Sequence, residues 1–179
     1  CGSYCSMPEA LDNIKKNSNY SFKNINIVNY NKLKNVLFNF NPDIIFHLAA
    51  ESHVDNSIKN PDNFINSNII GTYNMLNSSL SIFKKNKKFK FIHVSTDEVY
   101  GSLKAKNEKS FTEYSKFYPN SPYSASKASS DLLVRAWNKT YNLPTITTNC
   151  VNNFGEWQFP EKLIPVVISC YLKNKKIPV

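Results

Sequence analysis

Two stretches of this chain combine residue types that can do acid–base chemistry. The first is Thr96-Asp97-Glu98, where two adjacent carboxylates directly follow the apolar run Phe89–Ser95. Asp and Glu are rarely buried unpaired, so packing explains this pair poorly. Like charges side by side shift each other's protonation, and a partly desolvated pair can hold one member protonated near pH 7. One carboxyl then serves as general acid and the other as general base. An acidic turn at the surface is the plain alternative.

The second stretch is Ser121-Pro122-Tyr123-Ser124-Ala125-Ser126-Lys127. Ser121 suits a helix N-cap and Pro122 the first helical position. Residues i and i+4 lie one above the other on a helix, so Tyr123 and Lys127 can address one site. A phenol is a poor base at neutral pH, and a nearby cation favours the phenolate. Bringing its pKa to about 7 requires roughly 4 kcal/mol. Lys127 would supply part of that, and a positively charged nicotinamide ring more. On this reading the pair is a device for a hydroxyl that becomes a carbonyl. The spacing alone also suits an exposed face of an amphipathic helix.

These residues must be placed by an α/β scaffold. Pro8–Ile14 reads as a short helix, Tyr20–Ile27 alternates like a strand, and Asn31–Phe40 carries a helical face at Leu33, Val36, Leu37 and Phe40. Asn41-Pro42 breaks that helix. Asp43–Ala50 is a continuous apolar run, as expected of a strand buried on both faces. Asn60-Pro61-Asp62 opens a long helix with Ile65, Ile69, Thr72, Leu76, Leu80 and Phe83 on one face. Phe89–Ser95 is the next buried strand, and Ser102–Pro119 an excursion loop of the kind that is often functional. A helix from Pro122 to about Tyr141, a β-prone run Thr145–Cys150 and a last helix Glu161–Tyr171 complete the order.

Strands alternating with helices argue for a parallel sheet with helices on both faces. Ligands bind such sheets beyond the carboxyl ends of the strands. The expected ends, Leu48–Ser52, Ser95–Glu98 and Asn149–Asn153, should converge on one cleft. At the first of them Ala49-Ala50 would let a ligand approach the backbone, although tight helix–strand packing accounts for small residues equally well. His53 beside them suits a ligand contact or a solvated loop.

Composition narrows the function classes. The 179 residues suffice for one core, and 41% hydrophobic with 20% charged residues is ordinary for a globular chain. No apolar run reaches the ~20 residues of a membrane span. Cys1–Asn17 lacks the basic and apolar regions of a secretory leader. Cys1, Cys5, Cys150 and Cys170 show neither metal-ligand spacing nor a disulfide framework, so no metal and a reduced, cytoplasmic setting are expected. The net charge of +9 lies largely in two lysine runs, residues 84–88 and 173–176, that follow helices and interleave no aromatics. A nucleic-acid partner is therefore not expected. Glycine is scarce, with four residues against roughly a dozen at ordinary usage, and no glycine-rich phosphate loop occurs.

With its context the pattern becomes specific. A strand-end Ser/Thr followed by a helix bearing Tyr-x-x-x-Lys resembles the extended short-chain dehydrogenase/reductase family. His47–Asp55, Ser95–Gly101, Ser121–Asp131 and Phe159–Pro165 resemble, within it, the nucleotide-sugar 4,6-dehydratases. The Asp-Glu pair after Thr is the most specific of these motifs, since related epimerases and decarboxylases usually lack it. The resemblance implies a Rossmann-like, doubly wound parallel sheet and NAD as cofactor. It also implies dehydration of a nucleotide-diphosphate glucose, dTDP-glucose before others, to the 4-keto-6-deoxy sugar.

The resemblance extends to single residues. Tyr123 would take the 4-hydroxyl proton, and Lys127 would lower the Tyr123 pKa and hold the nicotinamide ribose. Thr96 would bond the hexose, Glu98 would remove the C5 proton, and Asp97 would protonate the departing 6-hydroxyl. Asn26, Ile27, Leu48, Ala49, Ala50, Glu51, Ser52, Ser67 and Asn153 would line the cofactor, with Asn26 standing where an Asp is usual. Ser52, His53, Thr96, Asn152, Lys162 and Leu163 would contact the sugar nucleotide. A homodimer through the helices starting near Pro61 and Pro122 is implied as well.

The same resemblance implies that the first strand and its glycine loop precede Cys1 and that further chain follows Val179. The expectation is thus a single NAD-binding domain over 1–179, incomplete at its N-terminus, with 152–179 beginning the substrate-binding part. Alone, such a piece is expected to bind NAD weakly and fold poorly. An epimerase or decarboxylase of the same family, or a non-catalytic truncated relative, are the alternatives.

Overall fold

The computed structural model describes residues 6–103 and 109–177. It divides into two compact units, one formed by the described residues up to Asn24 and from Asn152 on, the other by Ile25–Val151. The expected strand tail at Cys1–Ser6 lies almost wholly outside the described residues. In the first unit Pro8–Leu11 is a 3₁₀ turn with its Pro at the start, and α6 spans Leu163–Leu172.

The larger unit is built on a parallel sheet of β1 (Ile44–His47), β2 (Lys90–Thr96) and β3 (Thr145–Cys150), in that order. The register places Phe46 beside Ile92 and Ile92 beside Ile146. Helix α1 (Tyr30–Phe40) begins where the Asn29 side chain accepts from the Lys32 N–H at 3.1 Å, and ends on Asn41 at φ 48°. Helix α2 (Val54–Lys59) follows β1, and α3 (Pro61–Phe64) passes through a π-helical stretch, Ile65–Ile70, into α4 (Gly71–Lys85). The 3₁₀ turn Asp97–Tyr100 extends β2, and α5 (Pro122–Tyr141) leads to β3. Ser121 closes a capping box with Ser124, and Asn142 stops α5 in the left-handed region.

Both β–α–β connections advance the same way across the sheet, and right-handed crossovers then place their helices on one face. One core cluster accordingly joins Leu33 of α1, Ile45 of β1, Met75, Leu76 and Ile82 of α4, Phe91 of β2 and Val134 of α5. Each such side chain contributes about 1.5–3 kcal/mol by leaving water.

The structure departs from the sequence expectations in four places. Tyr20–Ile27 forms no strand; alternation needs a neighbouring strand to take up the backbone N–H and C=O groups, and none pairs it here. Instead the Asn74 amide donates to the carbonyls of Ile27 and Val28, both at 3.0 Å. The run Asp43–Ala50 is buried on one face only, since Ile44 is 48% and Phe46 63% exposed. Helices α1, α4 and α5 share the Ile45–Phe91 face, whereas Ile146 on the other face is 51% exposed. The long helix buries Thr72 and Leu76 as expected, but its first turns present a different face: Phe64 and Asn68 are inside where Ile65 and Ile69 were expected. The π-helical stretch causes this, because its i→i+5 turns rotate the helix before Gly71 against the part after it. Gly71 sits where Ile27 comes closest: a Cβ there would stand 2.5 Å from Ile27 Cδ1.

Candidate active site

Helix α5 brings the site together. Tyr123, Lys127 and Asp131 recur at four-residue intervals on its buried face. Tyr123 packs edge-on against Phe64, ring centroids 6.3 Å apart, and hydrogen-bonds Thr96 at the end of β2. Burial pushes its phenol up to about 12. The Thr96 hydrogen bond opposes that shift, while the charges of Glu98, Asp97 and Asp131 add to it.

The expectation that Lys127 lowers the phenol's pKa is not met in this arrangement. The Lys127 Nζ donates instead to the Val94 carbonyl at 2.8 Å. Desolvation drives the ammonium down to about 8, and the Asp131 carboxylate is the group that resists this. The phenol needs a cation that the protein's own lysine does not aim at it here.

Thr96 caps the 3₁₀ turn that carries the carboxylates: its hydroxyl accepts from the Glu98 N–H at 3.3 Å and lies 3.4 Å from Asp97 Oδ1. Asp97 and Glu98 are half-buried at the strand end, while Val99 between them and Tyr100 is fully inside. The turn closes at Gly101, whose φ of 96° disfavours any other residue and where a Cβ would stand 2.6 Å from the Tyr118 carbonyl oxygen.

The strand-end segment after β1 is pinned by a residue the sequence reading passed over. Asn68, buried in the π-helical stretch, accepts from the Glu51 N–H at 2.9 Å and donates to the Glu51 carbonyl at 3.0 Å. It also donates to Ser126 Oγ at 2.9 Å. Leu48, Ala49, Ala50, Glu51 and Ser52 therefore run beside α5 at a set position. His53 caps α2, its ring accepting from the Asn56 N–H. Ser67 is half-buried one residue before Asn68.

Asn26 bonds its own loop, accepting from the Val28 N–H at 2.9 Å, and Ile27 packs against Gly71. Asn152, Asn153, Lys162 and Leu163 belong to the smaller unit. There the Asn153 carbonyl accepts from the Gln158 amide at 3.0 Å, and Lys162 precedes α6 without capping it. Of the predicted strand ends, the second and third meet directly: Asn149 donates to the Thr96 carbonyl at 3.2 Å and accepts from the Tyr100 hydroxyl at 3.2 Å.

Beneath the site lies a polar layer that the sequence reading missed. Ser95 donates to Asp131 Oδ2 at 2.9 Å, the Asn149 amide reaches the same oxygen at 3.2 Å, and His93 Nε2 stands 3.1 Å from Oδ1. His47, which bonds Thr72 at 2.8 Å, lies beside His93 with ring centroids 5.3 Å apart. Burial pushes both imidazoles below their ordinary value of 6.5. The available signal was an Asp four residues beyond Lys127 on one helix face.

The residues present fit the nicotinamide end of NAD. Lys127 spends one of its N–H groups on Val94 and keeps two, and the backbone of Leu48–Ser52 is held beside it through Asn68 and Ser126. The four glycines are scattered at 2, 71, 101 and 155, so no residue of this chain is assigned to the pyrophosphate.

The chain is similar to known proteins. Residues 4–179 match the family described as GDP-mannose 4,6 dehydratase. A dTDP-glucose 4,6-dehydratase of Salmonella typhimurium is 48% identical over 98% of this chain and 52% of its own length. A crystal structure of dTDP-glucose 4,6-dehydratase from Bacillus anthracis in complex with NAD is 40% identical with a TM-score of 0.81, covering 98% of this chain and 52% of that one. The corresponding enzyme from Streptomyces venezuelae, also solved with NAD bound, is 39% identical with a TM-score of 0.86 over 96% of this chain and 51% of that one. The chain thus spans about half the length of the relatives it matches.

Proposed function

Because the chain belongs to the GDP-mannose 4,6 dehydratase family, we propose that it carries the catalytic residues of an NAD-dependent dehydratase acting on dTDP-glucose. The product would be the 4-keto-6-deoxy sugar. The observation that supports this reading is the joining of Thr96, Asp97 and Glu98 to Tyr123 at one strand end, where burial and hydrogen bonding single out the phenol. The named relatives of known activity are dTDP-glucose 4,6-dehydratases, two of them solved with NAD.

NAD, when bound, would supply the acceptor for the C4 hydride and the donor that returns it to C6. Tyr123 takes the proton of the 4-hydroxyl, and Thr96, already bonded to the phenol, steadies that oxygen. The ketone at C4 acidifies the C5 proton, which Glu98 removes, and Glu98 hands a solvent-exchanged proton back to C5 when C6 is reduced. Asp97 gives its proton to the 6-hydroxyl as it leaves as water. A phenol held at about 12 keeps its own proton at neutral pH, so the positive charge that frees it to act as a base must come with the cofactor. Lys127, Ser67 and the Leu48–Ser52 backbone hold the nicotinamide ribose side, and Asn26 with Ile27 the adenine side. Ser52, His53, Asn152, Lys162 and Leu163 bind the sugar nucleotide, with residues 152–179 beginning the part that does so and Asn153 serving the cofactor.

Incubation of the full-length protein with dTDP-glucose in deuterated water tests the reading by NMR. A 4-keto-6-deoxy product carrying deuterium at C5 is expected. Unchanged substrate or a C4 epimer would each overturn it. A homodimer paired through α4 and α5 belongs to the same proposal, supported by exposed Ile70, Tyr73, Leu132 and Tyr141 on those helices and the adjoining turn. Sedimentation of a Tyr73→Glu, Leu132→Glu variant checks it, with a shift from dimer to monomer expected. Among the described residues no helix is long and apolar enough to cross a membrane.

A further inference from the structure

Among the described residues Asp131 is the only buried acid and Lys127 the only buried cation, each 4% exposed. They stand four positions apart on the inner face of α5. A buried carboxylate without a counter-charge is costly, and so is a buried ammonium. Two imidazoles lie close enough to compete for the role of cation. Burial holds both His47 and His93 below their ordinary value, so both are neutral at pH 7 and neither supplies a positive charge. The groups facing Lys127 are then Asp131 from its own helix, the Val94 carbonyl and neutral His93 from β2, and neutral His47 from β1. Asp131 is the single anion acting on it.

The carboxylate is also anchored by the strands. Its Oδ2 takes two hydrogen bonds, from Ser95 at 2.9 Å and Asn149 at 3.2 Å, which root it in β2 and β3. Its Oδ1 has no well-aligned hydrogen bond among the described residues, with only His93 Nε2 at 3.1 Å. The same Asn149 amide bonds the Thr96 carbonyl, so Asp131 is linked through one side chain to the residue that bonds the phenol.

We propose that Asp131 is a positioning residue: it keeps Lys127 as an ammonium at the Tyr123 site and, through Ser95 and Asn149, seats helix α5 against the ends of β2 and β3. This rests on the reading that Tyr123 and Lys127 handle the C4 hydroxyl. That reading gives Asp131 no contact with substrate or cofactor. Burial alone drags Lys127 toward neutrality in the physiological range, and the carboxylate is what opposes it. Its charge also works against ionisation of the phenol. Both effects have one sense: each member of the pair keeps its proton until ligands arrive.

The test is an NMR titration of the Lys127 side chain in the full-length protein, with and without NAD. In Asp131→Asn the midpoint should fall by about one pH unit, the scale of shift that loss of an adjacent opposite charge produces. In Asp131→Glu it should stay within a few tenths of a unit. The alkaline limb of the kcat profile should move down with it. An unmoved Lys127 midpoint in folded Asp131→Asn overturns the proposal, whatever the activity. This readout needs no turnover, so absence of dehydration by the wild-type protein would overturn the proposed reaction and leave the titration result standing. Should Asp131→Asn not fold, Asp131→Ser, whose hydroxyl can still bond the Asn149 amide, is read in the same way.

Discussion

The floor and the rim of the site are built on opposite terms. The floor, from Asp131 and Lys127 to His93, Ser95 and Asn149, is largely buried and held by hydrogen bonds from two strands and a helix. The rim, Asp97 and Glu98, is half-exposed on one 3₁₀ turn. A buried polar group must be satisfied by the protein itself, so its position is fixed by the fold. A half-exposed carboxylate keeps access to water, so the fold sets its place less tightly. The floor should therefore govern stability and protonation, and the rim turnover alone.

The sharpest way to break that division is Asp97→Asn with Glu98→Gln. General acid and base each contribute 10²–10⁴-fold, so loss of both should lower product formation by at least about 10³-fold. Thermal stability should change by less than about 0.5 kcal/mol, as for other replacements away from buried networks. A large drop in melting temperature would place these carboxylates in the floor.

Lys127→Met probes the other side. Removing a buried ammonium relieves its desolvation, yet takes away the cation on which the buried Asp131 carboxylate acts; with the Ser95 and Asn149 hydrogen bonds still in place, a net loss of about 1–3 kcal/mol is expected. Lys127→Met with Asp131→Leu should recover much of that loss in urea melts while activity stays about 10²-fold down. Recovery of activity in the double variant would show that the floor is only structural.

How much of this was legible in the residues follows the same line. The helix over Pro122–Tyr141 and the strand over Thr145–Cys150 have the expected bounds, because local signals end them: Ser121-Pro122 at one end, Asn142 and Pro144 at the other. Thr96, Asp97, Glu98, Tyr123 and Lys127 were found because a rare local pattern carries them. Asp131, Asn149 and Asn68 were not given roles, since their partners lie 17 to 58 positions away in the chain. The π-helical turn has no local signature either, and it moved the buried face of the long helix from Ile65 to Phe64. Tyr20–Ile27 failed as a strand for the same reason: pairing is a property of the neighbour and cannot be read from the alternation.

Gly101 joins floor to rim. Its φ of 96° and the Tyr118 carbonyl 2.6 Å from a would-be Cβ mean that Gly101→Ala must shift backbone. About 1–3 kcal/mol of destabilisation is expected from that strain. Activity should fall with it, since the 3₁₀ turn bearing Asp97 and Glu98 ends there. A variant as stable as wild type but inactive would show that the turn relaxes without cost and that only the rim depends on it.

The remaining expected effect is the pH dependence of the floor itself. His47 and His93 are held neutral by burial, below the ordinary value of 6.5 that they regain on unfolding. Below that value the unfolded chain binds protons that the folded one refuses, so stability falls as pH drops through 6.5 toward the folded values. Each imidazole adds a slope of up to about 1.4 kcal/mol per pH unit across that window. Above pH 7 the contribution is complete and flat. Urea midpoints measured from pH 7.5 down to about 5 should show the decline, and His47→Gln, which can still bond Thr72, should lose roughly half of it. A flat profile in the wild type would mean that water reaches the two rings and that the floor is wetter than the rim it supports.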